Sequence, residues 1–386
     1  MALTKVSTGV VDMSTSTGGL VIAKGTEIQR PASPSIGMIR ESTETIPGKV
    51  EVYTDNSGTP GWQFLEEVGP TTIVPLTVDY LVVAGGGGGG AFSRIVTSLG
   101  GTGGGAGGYR TSFGTGNVNG GNTAVENTLT LATKSPGYTV TVGAGGAGGP
   151  VNPTPTNAST NPTRYADQGD NSVFHTITST GGGGGYEPFA GTPNSTILRG
   201  GSNAGSGGNG TAAVSYTTSP VQGFIGGRNT TYSSPFGSGG GGGASSVGGN
   251  GGNSSLGGGN GGAGFSNQIS GTAVDYAGGG GGSVNKNQGV AGTATFGGGD
   301  GNRIGAGYDG TLNTGGGGGG ASGIDYPYTS YKGGDGGSGV VILRYPSAYT
   351  INFQTGVGFI SSTATLSATS EKVTTITAGS GTITFA

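Results

Sequence analysis

The chain contains no cysteine and a single histidine, so disulfides, thiolate nucleophiles and Cys/His metal sites are closed to it. Charge is equally scarce. With 16 Lys+Arg against 19 Asp+Glu there is no basic stripe to neutralise phosphates, and nucleic acid is excluded as an expected partner. Long hydrophobic runs are missing too: YLVVA and VVIL are far too short to span a bilayer, and MALTKVSTGVVDM has no apolar signal core. The expectation is a soluble chain that does not insert into membranes and reaches any exterior by a route such as lysis.

What is present is glycine, 95 of 386 residues, beside 17 prolines. Such a level usually marks low-complexity sequence. Disordered chains, however, are rich in charge and poor in aromatics; here charged residues are 9% and the chain holds 15 Tyr and 12 Phe. The composition describes an ordered protein without an ordinary apolar core.

Three zones are visible. Residues 1–75 contain strand-like SIGMIR (35–40), KVEVY (49–53) and WQFLEEV (62–68), separated by turn residues, which predicts a small antiparallel β module whose strands pair between chains. Residues 76–346 are glycine-dense, bracketed by the apolar strands DYLVVA (79–84) and GVVILRY (339–345). Residues 347–386 are rich in Thr and Ser and predict a separate C-terminal β module, with a hairpin turn at Gly379 to Gly381.

Runs of five or six glycines begin at Gly85, Gly181, Gly239, Gly278 and Gly315, and shorter tracts occupy 103–105, 257–259 and 297–299. A finer period of three appears in GGNGGN and KGGDGGS, the period of an extended polyproline-II-type helix. Bare backbones in that form approach closely and bond to one another, so the runs, Gly87 included, are expected to be structural. Collagen needs a strict G-X-Y register with abundant proline, and these triplets break it. The first interval adds a predicted hairpin over 126–146 with a turn at Pro136-Gly137.

Catalytic patterns are thin. Any Ser-His-Asp triad must use His175, which sits in SVFHTITST and reads as a strand residue with a backbone partner. Glu126, Glu187, Asp167, Asp170 and Asp275 are the candidates for a glycosidase-like carboxylate pair, but they are scattered and suit solvated loops. The one Gly-Lys pair, Gly48-Lys49, is followed by Val50 and makes no phosphate loop. Calcium-repeat spacing is absent. No enzyme activity, metal or cofactor is expected.

Binding chemistry gathers instead in the insertions that interrupt the glycine tracts, 186–199, 215–236 and 324–332, where Tyr, Phe, Arg and Asn concentrate. The candidates for contact with a binding partner are Tyr186, Phe189, Arg199, Tyr216, Phe224, Arg228, Tyr232, Tyr326 and Tyr328.

LTVDYLVVAGGGGGG, GGAGGYRTS, YTVTVGAGGAGG, VFHTITSTGGGGG and GGDGGSGVVILRYP together resemble the glycine-rich domain of bacteriophage tail-fibre and adhesin proteins of marine and cyanobacterial phages. Residues 25–69 resemble a short β module of phage fibre and virion-appendage proteins. The resemblance implies a polyglycine-II sandwich whose connecting loops touch a host surface protein or polysaccharide. It further implies an N-terminal module attached to fibre, baseplate or capsid proteins of the virion, and the expected assembly is a homotrimer. A purely structural virion component is the alternative; an ice-binding protein or a polysaccharide depolymerase are more distant ones. The tail after residue 346 departs from the family pattern.

Overall fold

A computed structural model describes residues 23–25, 30, 32–35, 38–42, 50–54, 60–64, 76–92, 100–116, 118–132, 137–151, 165–186, 196–207, 219–229, 237–252, 257–285, 289–323 and 329–386. The chain divides into two compact units, residues 1–73 and 74–386. It is nearly all β, and among the described residues no helix is long and apolar enough to cross a membrane.

In the first unit, β1 (Ala23–Gly25), β2 (Ile39–Ser42), β3 (Val50–Thr54) and β4 (Gly61–Phe64) form one sheet in that order. β2, β3 and β4 are antiparallel, and β1 adds parallel to β2. The described strands thus pair within the chain, where pairing between chains was expected. Tyr53 faces Trp62 across β3 and β4, with ring centres 5.5 Å apart. A buried carboxylate is costly unless paired. Glu51 meets that condition with Arg30 at 2.7 Å and the buried Arg40 at 3.6 Å, and Arg40 also lies over the Trp62 ring.

The second unit is built on a nine-stranded, nearly closed sheet. Its strands are β5 (Thr77–Val83), β6 (Tyr109–Thr111), β7 (Leu129–Thr130), β8 (Tyr138–Thr141), β9 (Ser172–Phe174), β10 (Ile177–Ser179), β13 (Val340–Pro346), β14 (Ile351–Leu366) and β15 (Glu371–Phe385). The order is β10-β9-β8-β15-β13-β5-β6, with β14 on β15 and β7 on β5; β11 (Phe265–Asn267) and β12 (Val274–Tyr276) make a separate hairpin. β5 and β13 pair antiparallel from Val83 with Val340 to Asp79 with Arg344. Strands covered on both faces read as continuous apolar runs, and these do. Val78, Tyr80, Val82, Val341, Leu343 and Tyr345 join one core with Val140, Phe174, Ile376 and Phe385, while Leu81, Val83, Val340 and Ile342 join a second with Tyr109, Ile269 and Tyr276.

Several expectations are corrected here. Residues 347–386 belong to the same compact unit as the glycine zone. β15 is an interior strand, bonded on one side to β13 and β8 and on the other to β14; its Ile376, Ile383 and Phe385 are core residues, which ties it to the sheet. Gly379 makes no hairpin turn. It sits inside β15 at a bulge, at φ +105° and against Phe359, where a side chain would collide. The 126–146 segment is not a hairpin either, because β7 pairs with β5 and β8 pairs with β15 and β9. His175 lies in the turn between β9 and β10 at φ +51°, not in a strand; its N–H donates to Thr139 O and its ring meets Tyr138 edge-on.

The glycine tracts extend from this sheet as a body held by backbone bonds. Along 85–90 the N–H groups donate in turn to three neighbours: Gly85 and Gly88 to Asp170 and Asp167, Gly86 and Gly89 to Gly337 and Gly334, Gly87 and Gly90 to Gly105 and Thr102. The carbonyls accept from three others: Gly85 and Gly88 from Gly182 and Gly185, Gly86 and Gly89 from Gly146 and Gly149, Gly87 and Gly90 from Gly318 and Ala321. All twelve distances are 2.8–3.0 Å. The partner changes at each residue and returns after three, as in an extended chain with three residues per turn. Tract 101–108, which contains no run longer than three glycines, is surrounded in the same way by 315–321, 180–186, 239–242, 280–283, 84–90 and 202–205.

Such packing leaves no room for Cβ atoms. One added at Gly85, Gly87, Gly181, Gly239 or Gly278 would lie 1.7–2.1 Å from a backbone carbonyl oxygen, and at Gly315 2.5 Å from Ala84 O. At the margins, where a neighbouring tract is missing, side chains supply the acceptor. Asn171 Oδ1 accepts from Gly181 N, Asn250 Oδ1 from Arg228 N, Asn260 Oδ1 from Thr293 N and Asp335 Oδ1 from Gly148 N. Asn250 and Asp335, polar residues of the period-three segments GGNGGN and KGGDGGS, are thus edge acceptors.

Two outcomes follow for stability. Gly87→Ala puts a methyl 2.1 Å from Gly183 O, an atom fixed by its own bond, and should destabilise the second unit by at least about 3 kcal/mol in thermal unfolding; Gly61→Ala, in open space on β4, should change the first unit little. Ile376→Ala in β15 should cost about 2–5 kcal/mol and lower the unfolding temperature of the glycine body with that of the sheet. An unchanged glycine-body transition would mean that the C-terminal strands are separable from it.

Candidate functional site

Chain direction sorts the connections of the second unit to two ends. Tract 85–90 leaves β5 and tract 101–108 returns to β6; 143–149 leaves β8 and 166–170 returns to β9; 181–185 leaves β10 and 332–338 returns to β13. The later tracts are aligned to these by their bonds. Gly103 and Ala106 donate to Gly239 and Gly242, so 239–243 runs toward the sheet, whereas Gly280 and Ser283 donate to Gly104 and Gly101, so 278–283 runs away from it. One end of the body is consequently the sheet with the β11–β12 hairpin. The other end carries the turns.

Five isolated backbone bridges tie this turn end: Phe92 with Tyr331, Tyr165 with Tyr186, Asn229 with Gly251, Gly237 with Val284, and Gly305 with Ser322. They form the bases from which three of the long connections depart: 187–195 between Tyr186 and Thr196, 230–236 between Asn229 and Gly237, and 324–328 between Gly323 and Thr329. They lie within the sequence-predicted insertions 186–199, 215–236 and 324–332 and are themselves outside the described residues. The residues that flank them share one end, although the first and last are more than a hundred residues apart, whereas Phe224 to Gly227 of the middle insertion bond inside the body as one of its tracts.

The individual candidates differ in placement. Tyr186 is buried with Leu198 and Ala204; its hydroxyl donates to Gly207 O at 2.6 Å and accepts from Gly207 N at 2.9 Å, and its ring stacks on Tyr165. It supports the base of an insertion and presents no face to solvent. Arg199 is half-buried, with its carbonyl accepting from Gln168 Nε2. Phe224 is half-buried and its backbone bonds to Gly243 and Asn203 inside the body. Arg228 is exposed beside the Asn229 bridge. Phe189, Tyr216, Tyr232, Tyr326 and Tyr328 lie outside the described residues. Sequence reasoning missed Phe92, Tyr165 and Tyr331 at the loop bases; their signal was position, since Phe92 closely follows the first glycine run and Tyr331 closely precedes the last short tract.

The carboxylates are occupied structurally. Glu126 accepts from Tyr80 Oη at 2.9 Å, Arg110 Nε at 2.8 Å and Asn119 Nδ2 at 3.2 Å. Its burial favours the neutral acid, but the Arg110, Tyr80 and Asn119 bonds outweigh that and hold its carboxyl below the usual range. The same burial and the facing carboxylate push the Tyr80 phenol well up. Asp167 and Asp170 lend their backbone to the body, and Asp275 is exposed on β12; Glu187 lies outside the described residues. At the turn end, Asp335 bonds Lys332 Nζ at 2.6 Å in the open; desolvation raises its pKa, and the Gly148 N–H with Lys332 overrides it downward. Among the described residues no group of three His, Asp or Glu is placed to hold a metal ion.

Comparison with curated proteins finds no match. The model of a glycine-rich domain matches residues 68–346, most of the chain and the whole of the backbone-bonded body. The chain belongs to that glycine-rich domain family.

Proposed function

We propose that this protein is a non-enzymatic bacteriophage tail-fibre or adhesin subunit, carried on the virion, that binds a host surface protein or polysaccharide through the connections at the turn end of its glycine body. The observation that carries the reading is that the described residues flanking 187–195, 230–236 and 324–328 share one end of a body whose inner tracts are bonded to six neighbouring segments. Recognition loops need a scaffold that does not yield when they bind. We read that scaffold as polyglycine-II helices, supported by the period-three change of bonding partners.

In this reading residues 1–73 form the module held by fibre, baseplate or capsid proteins, and the turn end of the second unit makes the receptor contact. Tyr186, buried and bonded, is assigned to the scaffold; the contact falls to the insertions themselves and to the exposed Arg228. The alternative, a virion component that binds no receptor, is separated by the same experiment.

Replacing 187–195, 230–236 and 324–328 with Gly-Ser segments of equal length should lower binding of the purified chain to host cells by roughly 30-fold or more, the effect of removing about 2 kcal/mol of hot-spot contact. The thermal transition of the body should remain. Undiminished binding, or a wild-type chain that neither binds cells nor competes with phage adsorption, would sink the receptor reading in favour of the structural one. Release of soluble sugar from host capsule would instead point to a depolymerase.

A further inference from the structure

The nine-stranded sheet has one long free edge. β14 runs sixteen residues and, among the described residues, pairs on one side, with β15, whereas the terminal strands β6 and β10 have three residues each. An open edge presents unpaired N–H and C=O groups, and proteins protect such edges with charge, proline, bulges or brevity. β14 is long, and INFQTGVGFISSTATL contains no charged residue and no proline. Bulges interrupt its register with β15 near Phe353 and between Val357 and Ser361, but from Ser361 to Leu366 the pairing is continuous. Close by on the same strand, Val357 is 83% exposed and Ile360 63%.

We propose that β14 is a homotypic interface, pairing antiparallel with β14 of a second copy about a two-fold axis. The choice of occupant rests on charge. Across a two-fold axis each residue faces the same surface of its partner, so any charge near the axis meets its own kind and is repelled. An uncharged strand escapes that penalty. Ser361, Ser362, Thr363 and Thr365, four of the six residues over 361–366, are of types that pair well with themselves across antiparallel strands. Val357 and Ile360 would be covered by the partner. The product is a dimer with two sheets joined edge to edge, in place of the three-fold assembly implied by the family resemblance, and it does not depend on what the turn end binds.

Sedimentation velocity of the full chain should give a concentration-dependent dimer. Ile360→Lys combined with Ser362→Lys, both at exposed positions, should return a monomer with an unchanged thermal transition. Hydrogen exchange supplies a readout independent of the variant: those amides of 361–366 that face away from β15 should be slow in the dimer and become faster on dilution. A wild-type monomer, a trimer, a dimer indifferent to the two lysines, or fast exchange along the whole outer edge of β14 in the dimer would each overturn the proposal.

Discussion

A glycine residue offers no side chain to bury, yet fixing its backbone costs about 1–2 kcal/mol. A net hydrogen bond returns about 0.5–1.5 kcal/mol. Each residue inside a tract brings one donor and one acceptor, so the balance is close to even and no single tract can stand alone. Order requires that every N–H and every carbonyl find a neighbour, with Cα–H···O contacts between closely apposed backbones as a smaller addition. Tracts 85–90 and 101–108 meet this requirement with six neighbouring segments apiece. The remainder of the second unit can be understood as what that condition demands.

One demand is a foundation. The bonded tracts need their ends fixed, and the first of them are continuous with strands of the sheet, whose β5 and β13 are buried on both faces. Apolar burial thus supplies the conventional stability that the body cannot. A second demand concerns the margins, where the outermost tracts lack neighbours. Asn171, Asn250, Asn260 and Asp335 provide oxygen atoms in their place. The third demand is geometric: reversing direction after each tract places the turns at two ends, and the end away from the sheet is free to carry long insertions.

Much of this was readable beforehand. The glycine runs, the bracketing strands and the polar residues at intervals of three were plain in the sequence, and so was the concentration of aromatics in the insertions. Other features were hidden for identifiable reasons. Tract 101–108 holds only three consecutive glycines, with Thr102 and Ala106 fitting where the neighbours leave space, so run length understated its place. The C-terminal strands looked like a separate module because their exposed faces are rich in Thr and Ser; Ile376, Ile383 and Phe385, which bind β15 to the core, are few among them. Tyr186 looked like a recognition residue, since composition cannot distinguish a tyrosine that faces solvent from one whose hydroxyl is held by Gly207.

The sequence by itself determined that the chain would be extended, low in charge and dependent on backbone contacts, because residues without side chains and short apolar strands allow little else. It also determined where insertions interrupt the tracts. Tertiary structure alone decided which tract lies beside which, that β15 would be placed between β13 and β14, and that the residues flanking distant insertions would share one end. The reason is physical: glycine tracts bond through groups common to every residue, so nothing local in their sequence names a partner, and identity is settled by the strands and turns at their ends.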